Sequence, residues 1–307
     1  MFKDFQKTLT SSVSFEGIGL HSGKKSRVDI LPGESNSGII FKRVDLKENN
    51  QVEANFSNVS SAQLCTTLEN EHGIKVSTVE HLLAAFYISG IDNAVVEINC
   101  EEVPIMDGSA KFFLEVLKKT ELKSLNKKRR YLKILKNIKM NEGSKKISIE
   151  PNESFEVDFE LNYDNKIIGK QRNLIDFDSY DLDDVSNSRT FCLFEDIEKI
   201  KKLGLAKGGS LDNAIVVDNS KILNKGGLRN KKEFVNHKIL DLAGDFMLSG
   251  YRTLGKVVCH QGGHQLTNTF LKKIFQSETC FQISTLNEYK VSKKTTNIIP
   301  ERIVVNA

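Results

Sequence analysis

The chain has no tryptophan among its 307 residues, and its 18 phenylalanines and 6 tyrosines do not interleave with the basic residues. A platform on which nucleic-acid bases could stack is therefore missing. The formal charge of +4 comes from short lysine runs rather than a continuous basic stripe, so no nucleic-acid partner is expected. The mild basicity is compatible with a small anionic ligand. No CxxC pair occurs, and the cysteines (Cys65, Cys100, Cys192, Cys259 and Cys280) are odd in number. Both facts argue against a disulfide framework and a thiolate zinc site, and the five are read as reduced, small apolar side chains. No apolar run approaches the roughly 18 residues that span a bilayer. Residues 1–7 have no apolar signal core and include Asp4, so no secretory signal is read. A cytoplasmic protein without stable membrane insertion is expected. Walker A and G-x-G-x-x-G loops, a G-x-S-x-G elbow and the HxE…PCxxC signature are all absent. Those ways of holding a nucleotide, activating a serine or deaminating a base are excluded.

What is present suits a globular chain: 39% hydrophobic and 27% charged residues supply a core and a solvated surface. At roughly 100–200 residues per domain, the length implies two domains or one large one. Stretches 6–14, 25–31, 38–43 and 63–68 are β-rich, with Gly, Asn and Ser between them, and read as strands. Residues 78–89 read as a helix opened by Ser77 and closed at Gly90. A strand at 93–99 and a helix at 109–119 follow. The polar, basic run 121–130 lacks apolar periodicity and reads as a solvated connector. It sets a first unit at 1–123, a linker at 124–130 and a second unit at 131–286. The second unit offers strands at 131–138, 146–150, 155–161, 213–218 and 254–259, and helices at 193–202, 232–249 and 264–276. Strands followed by helices in each unit give an α+β class. The polar, lysine-rich tail 287–307 reads as partly disordered.

Six histidines are available: His21, His72, His81, His237, His260 and His264. His237 and Asp241 stand one helical turn apart, on one face of the helix expected over 232–249. Two ligands fixed at that spacing grip one metal ion by the mechanics of HExxH, and an imidazole with a carboxylate suits zinc. An ordinary helix-surface pair has the same spacing. His81 is the candidate third ligand, although a histidine on an apolar helix also serves as a satisfied core residue. Glu80 has two readings. Beside a three-ligand zinc it would take a proton from water. At the end of Ser77-Thr78-Val79-Glu80 it completes a capping box and reaches back to the N-cap amide, and spacing alone favours that. His264 follows Gly262 and Gly263, which permit close backbone approach. It is either a helix-start residue or a cation steadying an oxyanion. Asp245 could orient that imidazole, and Lys238 could meet a phosphate or acyl oxygen. His21 sits in a glycine-rich turn at 17–23 and is read as structural. His72 and His260 show no pattern.

Eight separated stretches then occur in order: GIGLHSGK (17–24), LCTTL (64–68), STVEHLLAA (77–85), VPIMDGSA (103–110), SRTFC (188–192), LGLAKGGSLDNAIV (203–216), FVNHKILDLAGD (234–245) and GGHQL (262–266). Each is modest alone and together they are specific. With them the chain resembles the UDP-3-O-acyl-N-acetylglucosamine deacetylase (LpxC) family over about residues 5–285. The resemblance implies an α+β fold of two domains with a similar layered plan, a β-α-α-β sandwich with the active site between them. It implies one Zn2+ per chain held by His81, His237 and Asp241, with Glu80 as general base. His264 would stabilise the oxyanion or act as general acid, supported by Asp245. Thr190 would hydrogen-bond the oxyanion, and Lys238 would lie near the substrate. An insert at about 191–220 would form a passage for a fatty acyl chain, lined by Phe191, Phe194, Ile197, Ala206, Ser210, Ala214 and Val216.

The implied reaction removes the N-acetyl group of UDP-3-O-(3-hydroxyacyl)-N-acetylglucosamine as acetate, the committed step of lipid A biosynthesis in Gram-negative bacteria, by a monomer. Whether Glu80 or His264 protonates the leaving amine stays open. Two positions depart from the pattern: Asn236 where the family often has arginine, and Gln261 where a basic residue commonly precedes the GGH step. Either change could weaken diphosphate contacts without touching the metal ligands. A zinc amidohydrolase of the same fold with another nucleotide sugar is the alternative. A non-catalytic binding protein is disfavoured, because Glu80, His81, His237, Asp241 and His264 are all present.

Overall fold

The computed structural model describes residues 4–178 and 181–286, so the tail at 287–307 lies outside the described residues. Alternating strands build two principal sheets. The first places Val13–Ile18, Lys25–Pro32, Ala94–Ile98, Ile39–Arg43 and Gln51–Glu53 side by side. Neighbours run antiparallel except Ile39–Arg43, which pairs in parallel with Ala94–Ile98. The period-two pattern is explicit in Lys25–Pro32: Val28 and Ile30 are buried, while Arg27 and Asp29 pair on the outer face. In the second sheet Arg252–His260 is central. It pairs with Lys145–Glu150, Phe155–Asn162 and Tyr131–Ile134, and Ile138–Glu142, Lys170–Asp176 and Phe281–Ser284 extend the sheet outward.

The helices described are α1 (Glu80–Ser89), α2 (Lys111–Leu117), α3 (Asp183–Ser186), α4 (Ile197–Lys202), α5 (Glu233–Met247) and α6 (His264–Gln276). α1 packs on α5, and α5 and α6 lie on the second sheet. One buried apolar cluster runs from Val28, Phe41 and Val96, through Leu82, Phe86, Phe234 and Phe246, to Phe155 and Val257. The layers are thus sheet, helix, helix, sheet, an α+β sandwich. α1 is buried from Glu80 through Tyr87; a helix without a polar face belongs inside a core. No helix among the described residues is long and apolar enough to cross a membrane.

Two devices fix α1 against its neighbours. At Gly244 of α5, a Cβ would overlap the carbonyl of Glu80, so only glycine permits this helix–helix approach. Gly244→Ala is expected to force the helices apart and to destabilise the fold by about 1–3 kcal/mol. Urea unfolding measures the loss, and unchanged stability would show that α1 tolerates the shift. At the other end of α1, Gly90 closes the helix at φ 78°. Arg252 then donates to the carbonyls of Tyr87, Phe86 and Ile91, and Arg129 to the carbonyl of Gly90 and the carboxylate of Asp92. Cations at a helix C-terminus are favourable; Arg129 comes from the end of the expected connector and Arg252 from the second half of the chain.

Several expected boundaries move. The connector expected at 124–130 falls mostly within a strand, Leu122–Lys128, which pairs antiparallel with Phe5–Leu9. Most of its side chains face solvent, so no apolar alternation betrays it, and its ladder partner is remote in sequence. The strand expected at 6–14 is two, Phe5–Leu9 and Val13–Ile18, and that expected at 131–138 ends at Ile134 before a new strand begins at Ile138. Within 63–68 only Thr67 and Leu68 are extended, opening the strand Thr67–Glu69. The helix expected at 193–202 starts as a 3-10 turn, Phe194–Asp196, before α4.

Candidate metal centre

The backbone just before α1 decides where its first two side chains point. Thr78 adopts φ 57°, rare for a β-branched residue. Its hydroxyl donates to Glu102 at 3.0 Å, and the same carboxylate accepts the His21 and Ser22 amides at 2.8 and 2.7 Å. Glu102 therefore ties the glycine-rich turn to the start of α1. The capping box does not form. The Ser77 amide already donates to the carbonyl of Glu101 at 2.9 Å, so Glu80 has no free N-cap amide to reach. Its Oε2 instead accepts the Thr66 amide at 3.1 Å.

His81 on α1 meets His237 and Asp241 on α5, all three buried. The Nε2 atoms of His81 and His237 lie 3.4 and 3.3 Å from Asp241 Oδ1, and the three donor atoms fall within 4.8 Å of one another. His237 Nδ1 stands 3.1 Å from the carbonyl of Ser188. A carbonyl only accepts, so Nδ1 carries the proton and Nε2 presents a bare lone pair. Asp241 Oδ2 accepts from Lys238 at 2.8 Å, whereas Oδ1 is buried with no hydrogen-bond partner. An orphaned buried acceptor costs about 1–3 kcal/mol, more when charged. That orphaned oxygen, facing two imidazole nitrogens, fits one divalent cation. His81 Nδ1 also has no partner, so packing rather than a hydrogen bond orients that ring.

The charge states suit a ligand set. Burial pushes the His237 imidazole down to about 3 against the pull of Asp241, keeping it neutral and able to coordinate. Burial opposes charge on Asp241, but the positive field around it, the paired Lys238 ammonium included, outweighs it and holds the carboxyl well below the usual range. Glu80 is raised, mainly by burial, with His264 and His81 opposing.

Behind the donors lies a closed polar ring. His264 Nδ1 contacts Asp245 Oδ2 at 2.8 Å, Asp245 Oδ1 accepts the Thr66 hydroxyl at 2.7 Å, and His264 Nε2 faces Glu80 Oε1 at 3.6 Å. Burial alone would lower His264, but Asp245 and then Glu80 overcome it and raise the imidazolium from 6.5 to about 10. Its folded value exceeds its unfolded one. The stabilisation is therefore complete below pH 6.5 and disappears as pH rises through about 10. Metal-free protein should melt at falling temperature across that window, and Asp245→Asn should flatten the slope; parallel slopes in thermal melts would contradict the pairing.

Glu80, His81, Thr190, His237, Lys238, Asp241 and His264 all line one small pocket of about 20 Å³. Asp245 stands one bond behind, through His264. The ammonium of Lys238 also lies 5.5 Å from the centre of the Phe191 ring. Phe191, Phe194, Ile197, Ala206, Ser210, Ala214 and Val216 line a neighbouring, mostly apolar cavity of about 360 Å³. Leu20, His21, Leu64 and Thr190 border both spaces, so the insert's cavity adjoins the donor cluster.

Some contributors were missed from sequence. Thr66 lies within LCTTL, and its part in the ring uses a backbone amide as well as a hydroxyl. His21, read as structural, sits where the two spaces meet. Its Nδ1 accepts from the Ala206 amide at 3.4 Å, and its Nε2 is unpartnered. Burial lowers its pKa against the opposing field of Glu102. Both departures have partners inside the protein. Buried Asn236 bonds to Asn173 and Asn230, and Gln261 donates to the carbonyl of Asn162. His72 and His260 pair with Glu71 and Glu160, away from the pocket.

A sheet–helix–helix–sheet frame carries a buried His/His/Asp cluster that could hold one metal ion, flanked by a carboxylate and an imidazole. The family model for LpxC, UDP-3-O-acyl N-acetylglycosamine deacetylase, matches residues 6–276. Relatives named UDP-3-O-acyl-N-acetylglucosamine deacetylase agree. The one from Pseudoalteromonas translucida is 41% identical over 284 residues, 91% of this chain and 93% of its own. That from Geotalea uraniireducens is 41% identical over 283 residues, 92% of each, and that from Colwellia psychrerythraea 41% over 290, 94% and 95%. The chain belongs to the LpxC family.

Proposed function

We propose that the protein is a zinc-dependent deacetylase that hydrolyses the N-acetyl group of UDP-3-O-acyl-N-acetylglucosamine in lipid A biosynthesis, acting as a cytoplasmic monomer. The observation that carries this is the junction of two spaces. A His/His/Asp donor cluster with Glu80 and His264 beside it adjoins an apolar cavity large enough for part of an acyl chain. Membership of the family supplies the substrate.

His81, His237 and Asp241 would hold the zinc. When bound, zinc supplies Lewis acidity, making nearby water acidic near neutral pH and drawing charge from the acetamide carbonyl. Glu80 would take the proton as water oxygen attacks the carbonyl carbon; its raised pKa would make it a stronger base than an exposed carboxylate. The charged His264 and the hydroxyl of Thr190 are assigned to the negative charge developing on the carbonyl oxygen. As the C–N bond breaks, the amine takes a proton from His264 or Glu80, and acetate departs. Asp245 keeps His264 charged and fixes its tilt. Lys238 neutralises the second oxygen of Asp241 and stands ready for a substrate oxygen. The lining from Phe191 to Val216 would seat the acyl chain. In this reading a first domain, 1–123, brings Glu80 and His81, and a second, 131–286, brings His237 and Asp241.

Acetate release from UDP-3-O-acyl-N-acetylglucosamine by purified, zinc-loaded protein tests the proposal. Release is expected; none from a folded, loaded protein would overturn the substrate assignment, and other nucleotide sugars would be tried next.

A further inference from the structure

We infer that Thr66 is a positioning residue that sets the general base and the charged imidazole against each other; the inference rests on the deacetylase reading of Glu80 and His264. Thr66 is 1% exposed and follows a turn in which Leu64 adopts φ 67°. Each of its polar groups is engaged with the site. The amide donates to Glu80 Oε2 at 3.1 Å, the carbonyl accepts the Val79 amide at the head of α1 at 3.4 Å, and the hydroxyl donates to Asp245 Oδ1 at 2.7 Å.

The consequence follows from which oxygens remain. With Oε2 of Glu80 occupied, Oε1 is the oxygen turned towards His264 Nε2, 3.6 Å away. With Oδ1 of Asp245 occupied, Oδ2 is left for His264 Nδ1 at 2.8 Å. One residue thus selects the working oxygen of both carboxylates. Glu80 and Asp245 sit on different helices, α1 and α5, so no helical spacing holds them in register. A hydroxyl is required, because Asp245 Oδ1 is an acceptor and a methyl in its place leaves that oxygen unpaired. The hydroxyl is chemically silent: it lines neither the donor pocket nor the apolar cavity, and it acts only through its two carboxylates.

Thr66→Val keeps the shape and both backbone bonds while deleting the hydroxyl. It is expected to lower kcat roughly 10- to 100-fold, the usual loss when an outer hydrogen-bond partner is removed. Zinc content and KM should stay at the wild-type level. Thr66→Ser should recover most of the rate. Added to Asp245→Asn, Thr66→Val should cause little further loss, because both changes break one chain of bonds. A structural role for the methyl would instead leave Thr66→Ser as impaired as Thr66→Val and make the losses additive, and either result would overturn the inference. A substrate-free measurement keeps this separate from the deacetylase reading. By proton NMR on zinc-loaded protein, the Nδ1–H of His264 should exchange with water faster in Thr66→Val than in wild type. Equal exchange overturns the role of Thr66 even in an active enzyme. Failure of wild-type protein to release acetate overturns the substrate assignment instead.

Discussion

Glu80→Gln is expected to reduce kcat by roughly 10²–10⁴-fold, the range for a lost general base, with zinc content unchanged. Glutamine preserves the size of the side chain and an oxygen that can still accept the Thr66 amide, so α1 keeps its place. What disappears is an oxygen able to accept a proton, 3.6 Å from His264. The fold should not suffer. Burial penalises the charged carboxylate, and a neutral amide in its place removes that penalty. Steady-state kinetics with metal analysis and a thermal melt measure all three quantities. A Glu80→Gln enzyme within a few-fold of wild type would remove Glu80 from the chemistry.

His237→Ala should have a larger effect, because it removes a donor rather than an outer partner. Zinc affinity and activity are expected to fall by more than the roughly 10- to 100-fold typical of outer-sphere changes. His237 is a cleaner choice than Asp241. Removing the aspartate would strip Lys238 of its ion pair, formed at 2.8 Å by a lysine side chain that is 22% exposed, and a lone cation there costs stability by itself. Removing His237 frees the Ser188 carbonyl and takes one imidazole from beside Asp241, while the Lys238–Asp241 pair stays intact. Equilibrium dialysis against zinc, with chain stability followed alongside, separates lost metal from lost fold. Retention of one tightly bound zinc in folded His237→Ala protein would show that the ion sits elsewhere.

The roles in this site were legible through the resemblance, and only one part of it is local in sequence. His237 and Asp241 share a helix face, and the spacing alone placed both side chains together. Asp245 follows one turn on and does reach His264. His81 was ambiguous because a buried histidine on an apolar helix looks like core, and only its partners on α5 reveal otherwise. The capping-box reading of Glu80 went wrong for a reason no spacing discloses: the Ser77 amide had already been taken by Glu101, a long-range contact. Thr66 was invisible for the same reason, since half of its contribution is a backbone amide. The fold shows the same division. Helices with strong apolar patterns were found within a few residues, whereas the exposed strand Leu122–Lys128 was missed because pairing, not burial, holds it. The insert residues named from the resemblance line one wall of the apolar cavity. The opposite wall, formed by Leu20, His21 and Leu64, comes from the first half of the chain and needed the three-dimensional arrangement.

The most direct test of a single catalytic ion held by His81, His237 and Asp241 is a zinc titration. Protein stripped with a strong chelator is reloaded stepwise, and acetate release is recorded at each addition. One cluster of three donors among the described residues predicts no activity in the stripped protein and a linear rise that levels off at one zinc per chain. Full activity after verified stripping, or a rise that begins only beyond the first equivalent, would contradict it.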